Sequence, residues 1–270
     1  MKQITEYSEI VEIEQKYKVK GTATNNYILK EQYERLISDN ALCVVANEKN
    51  CFLFVTKDIG TRIYYFINDM GEKADFSKYS ELVIEILFRG ELPVAEMEYF
   101  LKCGFETNLV RDQYCLRFRE LNPEMLGTDF SDIDIHFAET IEEAKMCVGL
   151  FNENFDRYSG NYIDPCKLLS LIENKNLYIA YNEGILLGSL HVSKGGNNLY
   201  WMDHLVVTKE ARGKHVATKL FIRYIFDVHE NESTRYQLWT QHQNEIAVKM
   251  YKKIGFKYLG KSTLSMIKIK

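Results

Sequence analysis

Apolar and polar positions change period within a short stretch of the C-terminal half. Leu199–Val207 reads as a strand, with Trp201, Asp203, Leu205 and Val207 on one face if its pleating is regular. Past a short basic turn, Ala217, Leu220, Phe221, Tyr224, Ile225 and Val228 recur at i, i+3, i+4 and i+7. That spacing predicts a helix of about three turns from Lys214 to Val228. The same reading predicts strands at Asp134–Ala138, Leu177–Tyr181, Ile185–Ser193, Tyr236–Thr240 and Phe256–Ile269. Helices are expected at Ile141–Asn154, near Pro165–Glu173 and at Asn244–Ile254, with an aromatic, irregular stretch at Phe155–Asp164.

The N-terminal half echoes the later part of this order. Ala41–Ala46, Cys51–Val55 and Thr61–Ile67 form a three-strand meander. Helices are expected at Phe76–Phe88 and Pro93–Cys103, then a closing strand at Gln113–Phe118. Phe100-Leu101-Lys102-Cys103-Gly104-Phe105 parallels Tyr251-Lys252-Lys253-Ile254-Gly255-Phe256. The chain therefore reads as two copies of one α+β fold, each a mostly antiparallel sheet flanked by helices. The expected domains are 1–122 and 133–270, joined by a linker near Leu121–Asp132 that contains Pro123 and Gly127.

Composition narrows the function. Hydrophobic residues make up 46% of the 270 residues and charged residues 27%, a globular balance. A net charge of −4 weighs against nucleic acid as a partner, since phosphate backbones call for a basic surface. No run is long enough to span a membrane and no apolar leader opens the chain, so a cytoplasmic protein is expected. Six cysteines without Cys-x-x-Cys spacing and six scattered histidines favour buried reduced thiols and no metal.

The basic turn carries the chemistry. Arg212 and Lys214 put two positive charges at a helix start, where unpaired N–H groups and the macrodipole already favour anions. Gly213 allows close backbone approach. Taken alone, such a turn fits either a phosphate site or an ordinary helix start, and it matches neither Gly-x-x-x-x-Gly-Lys-Ser/Thr nor Gly-x-Gly-x-x-Gly. A second element is the helix capped by Asn244, with a buried stripe of Ala247, Met250, Tyr251 and Ile254 and a Gly255 stop. A phenol on a buried stripe requires a hydrogen-bond partner.

Together, Arg-x-x-x-x-Ala and Asn-x-x-Ala-x-x-x-Tyr-x-x-x-Gly-Phe resemble the GCN5-related N-acetyltransferase (GNAT) family, over about Asp134–Lys270. The N-terminal half resembles a degenerate copy without the Arg-Gly-Lys turn and with Phe100 in place of Tyr251. The resemblance implies that Arg212, Gly213, Lys214, His215, Val216, Ala217 and Thr218 bind the pyrophosphate of an acyl-CoA co-substrate, acetyl-CoA. His215 departs from the family pattern, standing where the family has its middle Gly. The resemblance further implies a bulged, splayed strand whose Leu205 and Val207 backbones pair with the pantetheine arm, and an Asn244 that touches the same arm. Tyr251 would protonate the leaving thiolate and Asp203 would be the base; Asp203 is equally readable as a strand-face carboxylate paired with a lysine. His204 is read as structural, on the opposite face from Asp203. Tyr158 and Tyr162 are candidates for the acceptor wall. The implied reaction is direct attack by the amine of a small molecule or peptide. The implied assembly is a monomer with tandem packing or a homodimer, with no nucleic acid, membrane or metal. A non-catalytic acyl-CoA-binding or scaffold protein is the alternative.

Overall fold

The computed structural model describes residues 1–57 and 59–269, so Lys270, the end of the second expected domain, lies outside the described residues. Two compact units divide the chain. One holds Met1–Val110 and the segment from Ser262 to the C-terminal end; the other holds Arg111–Lys261. The units therefore interleave in sequence, unlike the consecutive blocks 1–122 and 133–270. The reason is that each unit takes its closing strand from the other half of the sequence.

The first unit runs β1 (Lys2–Gln3), α1 (Tyr7–Tyr17), β2 (Ala23–Thr24), α2 (Lys30–Ser38), β3 (Leu42–Ala46), β4 (Asn50–Thr56), β5 (Thr61–Ile67), β6 (Leu82–Phe88) and α3 (Val94–Lys102). β7 (Glu106–Arg117) then carries the chain into the second unit. There follow β8 (Asp134–Phe137), α4 (Ile141–Asn154), α5 (Leu168–Glu173), β9 (Leu177–Asn182), β10 (Ile185–Gly196), β11 (Leu199–Val207), α6 (Val216–Val228), β12 (Arg235–Gln241) and α7 (Glu245–Ile254). β13 (Lys257–Lys268) returns the chain to the first unit.

The strands of the two units follow one plan. In the first unit the order is β1-β3-β4-β5-β6-β13, with β2 beside β5. In the second it is β8-β9-β10-β11-β12-β7. One parallel pair, β5 with β6 or β11 with β12, sits in an otherwise antiparallel frame. The borrowed strand is antiparallel to the last strand of each set: β13 to β6 and β7 to β12.

Both sheet faces are covered. β4 is buried on both sides, with Leu53 and Val55 against α1 and α2 and Phe52 and Phe54 in the cluster with α3. Such a strand reads as a continuous apolar run. In the second unit, α6 and α7 cover one face through Leu220, Phe221, Tyr224, Tyr251 and Ile254. α4 and α5 cover the other through Val148, Phe151 and Leu171. Local chemistry starts and stops these helices. Thr140 and Glu143 cap α4 reciprocally, through Glu143 N–H to Thr140 Oγ1 (3.2 Å) and Thr140 N–H to Glu143 Oε2 (3.2 Å). Gly104 and Gly255 adopt φ of 85° and 122° just after α3 and α7.

The expected helix at Phe76–Phe88 is a correction. Residues 68–81 contain no helix, and Leu82–Phe88 is β6. Its odd residues Val83, Glu85 and Leu87 and its even residues Leu82, Ile84 and Ile86 face opposite sides of a sheet covered on both. A short apolar run of this kind carries no periodicity that separates strand from helix.

Candidate functional site

β11 and β12 pair in parallel from Leu199–Arg235 to Met202–Leu238, and the registered pairing stops there although both strands continue. A bulge marks the fork. On the β10 side, His191 pairs with His204 and Val192 with Met202, so Asp203 is the extra residue. The extra residue exchanges the faces. Tyr200 and Met202 join the α6 core, and after the bulge Leu205 and Val207 pack against it too. Asp203 and His204 consequently share the α4 face, which corrects the regular pleating that separated them. Ser193 Oγ donates to Asp203 Oδ2 (2.7 Å). His204 packs on Phe151 (5.3 Å between ring centroids) and Phe155 (5.0 Å) from α4 and its following loop.

The strand ends in the basic turn. Ala211 is buried, while Arg212, Gly213, Lys214 and His215 are exposed in succession. Gly213 has φ of 79°, and no atom lies within 4 Å of the place a Cβ would take. α6 then begins at Val216, with His215 at the N-cap in the left-handed region (φ 60°, ψ 13°) and no side-chain cap. His215 thus adopts the conformation that glycine would take without strain. Its side chain makes no cap bond, so the first-turn N–H groups at Val216, Ala217 and Thr218 have no side-chain acceptor there. Nearby, Lys219 pairs with Asp132.

α7 supplies the other predicted residues. Asn244 is the N-cap, and its Oδ1 accepts from Ala247 N–H (3.2 Å), while the residue itself is exposed. Two turns later Tyr251 is 8% exposed, packed on Phe221 (5.4 Å) and Phe256 (5.9 Å). Burial holds its phenol protonated well above the ordinary tyrosine range, and a hydrogen bond with the Thr240 side chain acts against that shift. Thr240 lies on β12, beyond the last residue paired with β11.

On the α4 face, burial raises the Asp203 carboxyl above its ordinary value, against the hydrogen bond from Ser193. His191 Nδ1 lies 4.0 Å from Asp203 Oδ2 and 2.9 Å from His204 Nδ1. Burial pushes both imidazoles down to about 4, so both rings are neutral near pH 7. Tyr158 and Tyr162 lie in the irregular 155–167 connection between α4 and α5, with the Arg157 guanidinium 5.4 Å from the Tyr158 ring centroid. Tyr162 is 37% exposed.

Most of the predicted residues lie on β11, on the turn that follows it, or on the helices α6 and α7 of the second unit. Leu205, Val207, Arg212–Thr218, Asn244 and Tyr251 belong to its α6/α7 side, and Asp203 to its α4 side. Sequence reading missed His191, Ser193 and Thr240. The two β10 residues come to Asp203 across the sheet, and Thr240 comes to Tyr251 by the need of a buried phenol for a partner. Among the described residues, no group of three or more His, Cys, Asp or Glu is placed to hold a metal ion, and no helix is long and apolar enough to cross a membrane.

The equivalent fork in the first unit is filled from within. β5 and β6 pair only through Thr61–Leu82, Arg62–Val83 and Ile63–Ile84. Beyond that point Asn25 bridges them: its Nδ2 donates to the carbonyls of Ile63 (3.0 Å) and Glu85 (3.1 Å), and its Oδ1 accepts from Tyr65 N–H (2.9 Å). No helix joins these strands, so the whole of the α6 counterpart is missing, not only its basic turn.

Residues 145–256 match the family model for the acetyltransferase (GNAT) family. Similar solved structures include a tandem GNAT protein from the clavulanic acid biosynthesis pathway (12% identity, TM-score 0.55, 84% of this chain and 83% of that one). A GCN5-related N-acetyltransferase from Kribbella flavida is also similar (11%, TM-score 0.55, 88% and 92%). So is an acetyltransferase of the GNAT family from Colwellia psychrerythraea (15%, TM-score 0.52, 100% and 99%). No curated protein matches the sequence.

Proposed function

We propose, from a chain whose residues 145–256 match the acetyltransferase (GNAT) family model, that the second unit transfers an acetyl group from acetyl-CoA to an amine. One observation carries the reading: β11 and β12 part after Met202 and Leu238 at a bulge, and β11 leads through a 3-10 turn at Lys209–Ala211 and the basic turn to the uncapped start of α6. The fork offers unpaired strand edges to an extended amide-bearing arm, and the helix start offers N–H groups and basic charge to a pyrophosphate.

In this reading Leu205 and Val207 hold the pantetheine arm, with backbone donors on the thioester carbonyl stabilising the tetrahedral oxyanion. Arg212, Gly213, Lys214, His215, Val216, Ala217 and Thr218 hold the pyrophosphate, and Asn244 touches the arm. The acceptor amine approaches from the α4 face, where Tyr158 and Tyr162 form part of its wall. Asp203 takes the amine proton as nitrogen attacks the acyl carbon. The C–S bond then breaks, and Tyr251 gives its proton to the departing thiolate. A phenol whose deprotonation is disfavoured by burial remains a proton donor at neutral pH. The acceptor is a small molecule or peptide, and the first unit supplies no cofactor site.

Acetyl-CoA should raise the melting temperature, and Arg212→Glu should abolish the rise. No shift in the unsubstituted protein would sink the cofactor assignment. A screen of amines read by release of free CoA tests turnover; binding without release for any amine would favour an acyl-CoA-binding protein instead.

A further inference from the structure

The first unit contains a cleft of about 290 Å³, lined by residues of β5, β6, β13 and the 25–32 segment. Its size suits a small ligand and falls far short of a coenzyme. Arg62 and Glu85 face each other in it as an ion pair with Nη1–Oε2 at 3.5 Å, and their side chains are 19% and 30% exposed. Such a distance is long for a charge-assisted bond. Tyr27, Ile28 and Tyr64 contribute aromatic and apolar surface.

Thr263, on β13 opposite Leu87, also lines the cleft. It is 5% exposed, and its Oγ1 has no hydrogen-bond partner among the described residues. Two residues along the same strand, Ser265 Oγ is likewise buried and without a partner. Buried hydroxyls are ordinarily satisfied, so an orphan at the wall of a charged cleft marks a place for a polar group.

The charges choose that group. A simple anion gains at Arg62 and is repelled at Glu85; a simple cation meets the reverse. A molecule that carries both charges close together gains at both. We propose that this cleft binds a free α-amino acid, its carboxylate on Arg62, its ammonium on Glu85, its side chain against Tyr27 and Tyr64, and a polar atom on Thr263 Oγ1. The site belongs entirely to the first unit and does not rest on acetyl transfer in the second.

The test uses the full chain without acetyl-CoA, melted with each common L-amino acid at millimolar concentration. At least one should raise the melting temperature, and calorimetry should give a single site. The corresponding acid without the amine, and the corresponding amino amide, should each bind at least about tenfold more weakly. Arg62→Gln and Glu85→Gln should each weaken binding by a similar factor, about the loss of one charged contact. Thr263→Val should weaken binding while leaving the unliganded melting temperature equal or higher, because it replaces an orphan hydroxyl with a methyl of similar shape. That variant keeps the test informative if a charge substitution fails to fold. The proposal is overturned if no amino acid shifts the unsubstituted protein. It is equally overturned if the shift survives Arg62→Gln and Glu85→Gln, since the amino acid would then sit elsewhere.

Discussion

The Nδ1 atoms of His191 and His204 lie 2.9 Å apart in the interior of the second unit, so one ring must donate and the other accept. A proton on both nitrogens would set two donors against each other. Phe151 and Phe155 close the apolar side of the pair, and Asp203 and Ser193 stand on the polar side.

Acid should therefore destabilise this protein before its carboxylates titrate. Both rings have folded pKa values lowered to about 4 from 6.5. Between those values the unfolded chain binds more protons than the folded one, so stability falls as pH falls. The slope reaches at most about 1.4 kcal/mol per pH unit for each ring. Asp203, raised by burial, acts in the opposite direction at the acid end of the range, because the folded state then holds its proton more tightly. Urea midpoints measured across this interval should drop with pH, and His191→Leu/His204→Leu should flatten the profile. A flat profile in the unsubstituted protein would contradict a neutral buried pair.

His215→Gly should stabilise the protein by about 0.5–1 kcal/mol. His215 holds φ of 60° without any side-chain cap bond, and a left-handed conformation costs a non-glycine residue about 1 kcal/mol or more. Greater freedom of glycine in the unfolded chain offsets part of the gain. The check is a higher urea midpoint at unchanged slope. A lower midpoint would mean that the imidazole makes a stabilising contact, and the departure from glycine would then be an adaptation.

Much of the second unit was legible because its patterns are local. Ile141–Asn154 and Leu199–Val207 are observed at the expected bounds, since a helical pattern and a short, mostly apolar strand run each declare themselves within a few residues. The bulge was not legible residue by residue. One extra residue at Asp203 leaves no mark in the order of residue types but moves every later side chain to the other face, and regular pleating therefore separates His204 from Asp203. The exchange of closing strands was equally hidden, because 111–117 and 262–268 carry strand patterns that do not name their partners. In the first unit, β6 resembled a helix because a strand buried on both faces has no polar side to betray its period.

Tyr251→Phe separates binding from chemistry. The phenol is buried and bonded to Thr240, so its loss leaves packing on Phe221 and Phe256 in place and costs about 1 kcal/mol of stability. Affinity for acetyl-CoA should be nearly unchanged, while turnover of a competent amine falls about a hundredfold, the lower end for a positioned acid. Thr240→Val should give a smaller loss. Equal turnover for Tyr251→Phe would remove the phenol from the proton path.

The chain should bind one acetyl-CoA, not two, although its two units have strands in the same order. Asn25 occupies the first fork with three hydrogen bonds to Ile63, Glu85 and Tyr65, and no helix start follows β5 to receive a pyrophosphate. A pantetheine arm would have to replace those bonds and would gain no phosphate contact in exchange. Asn25→Ala should destabilise the protein by about 2 kcal/mol, because it leaves backbone groups of β5 and β6 without partners. It should not create a second site, since the missing helix is unaffected. Calorimetry should return a stoichiometry near one for both proteins, and Arg212→Glu should abolish it in both. A second binding event, surviving Arg212→Glu, would show that the first fork opens to coenzyme after all.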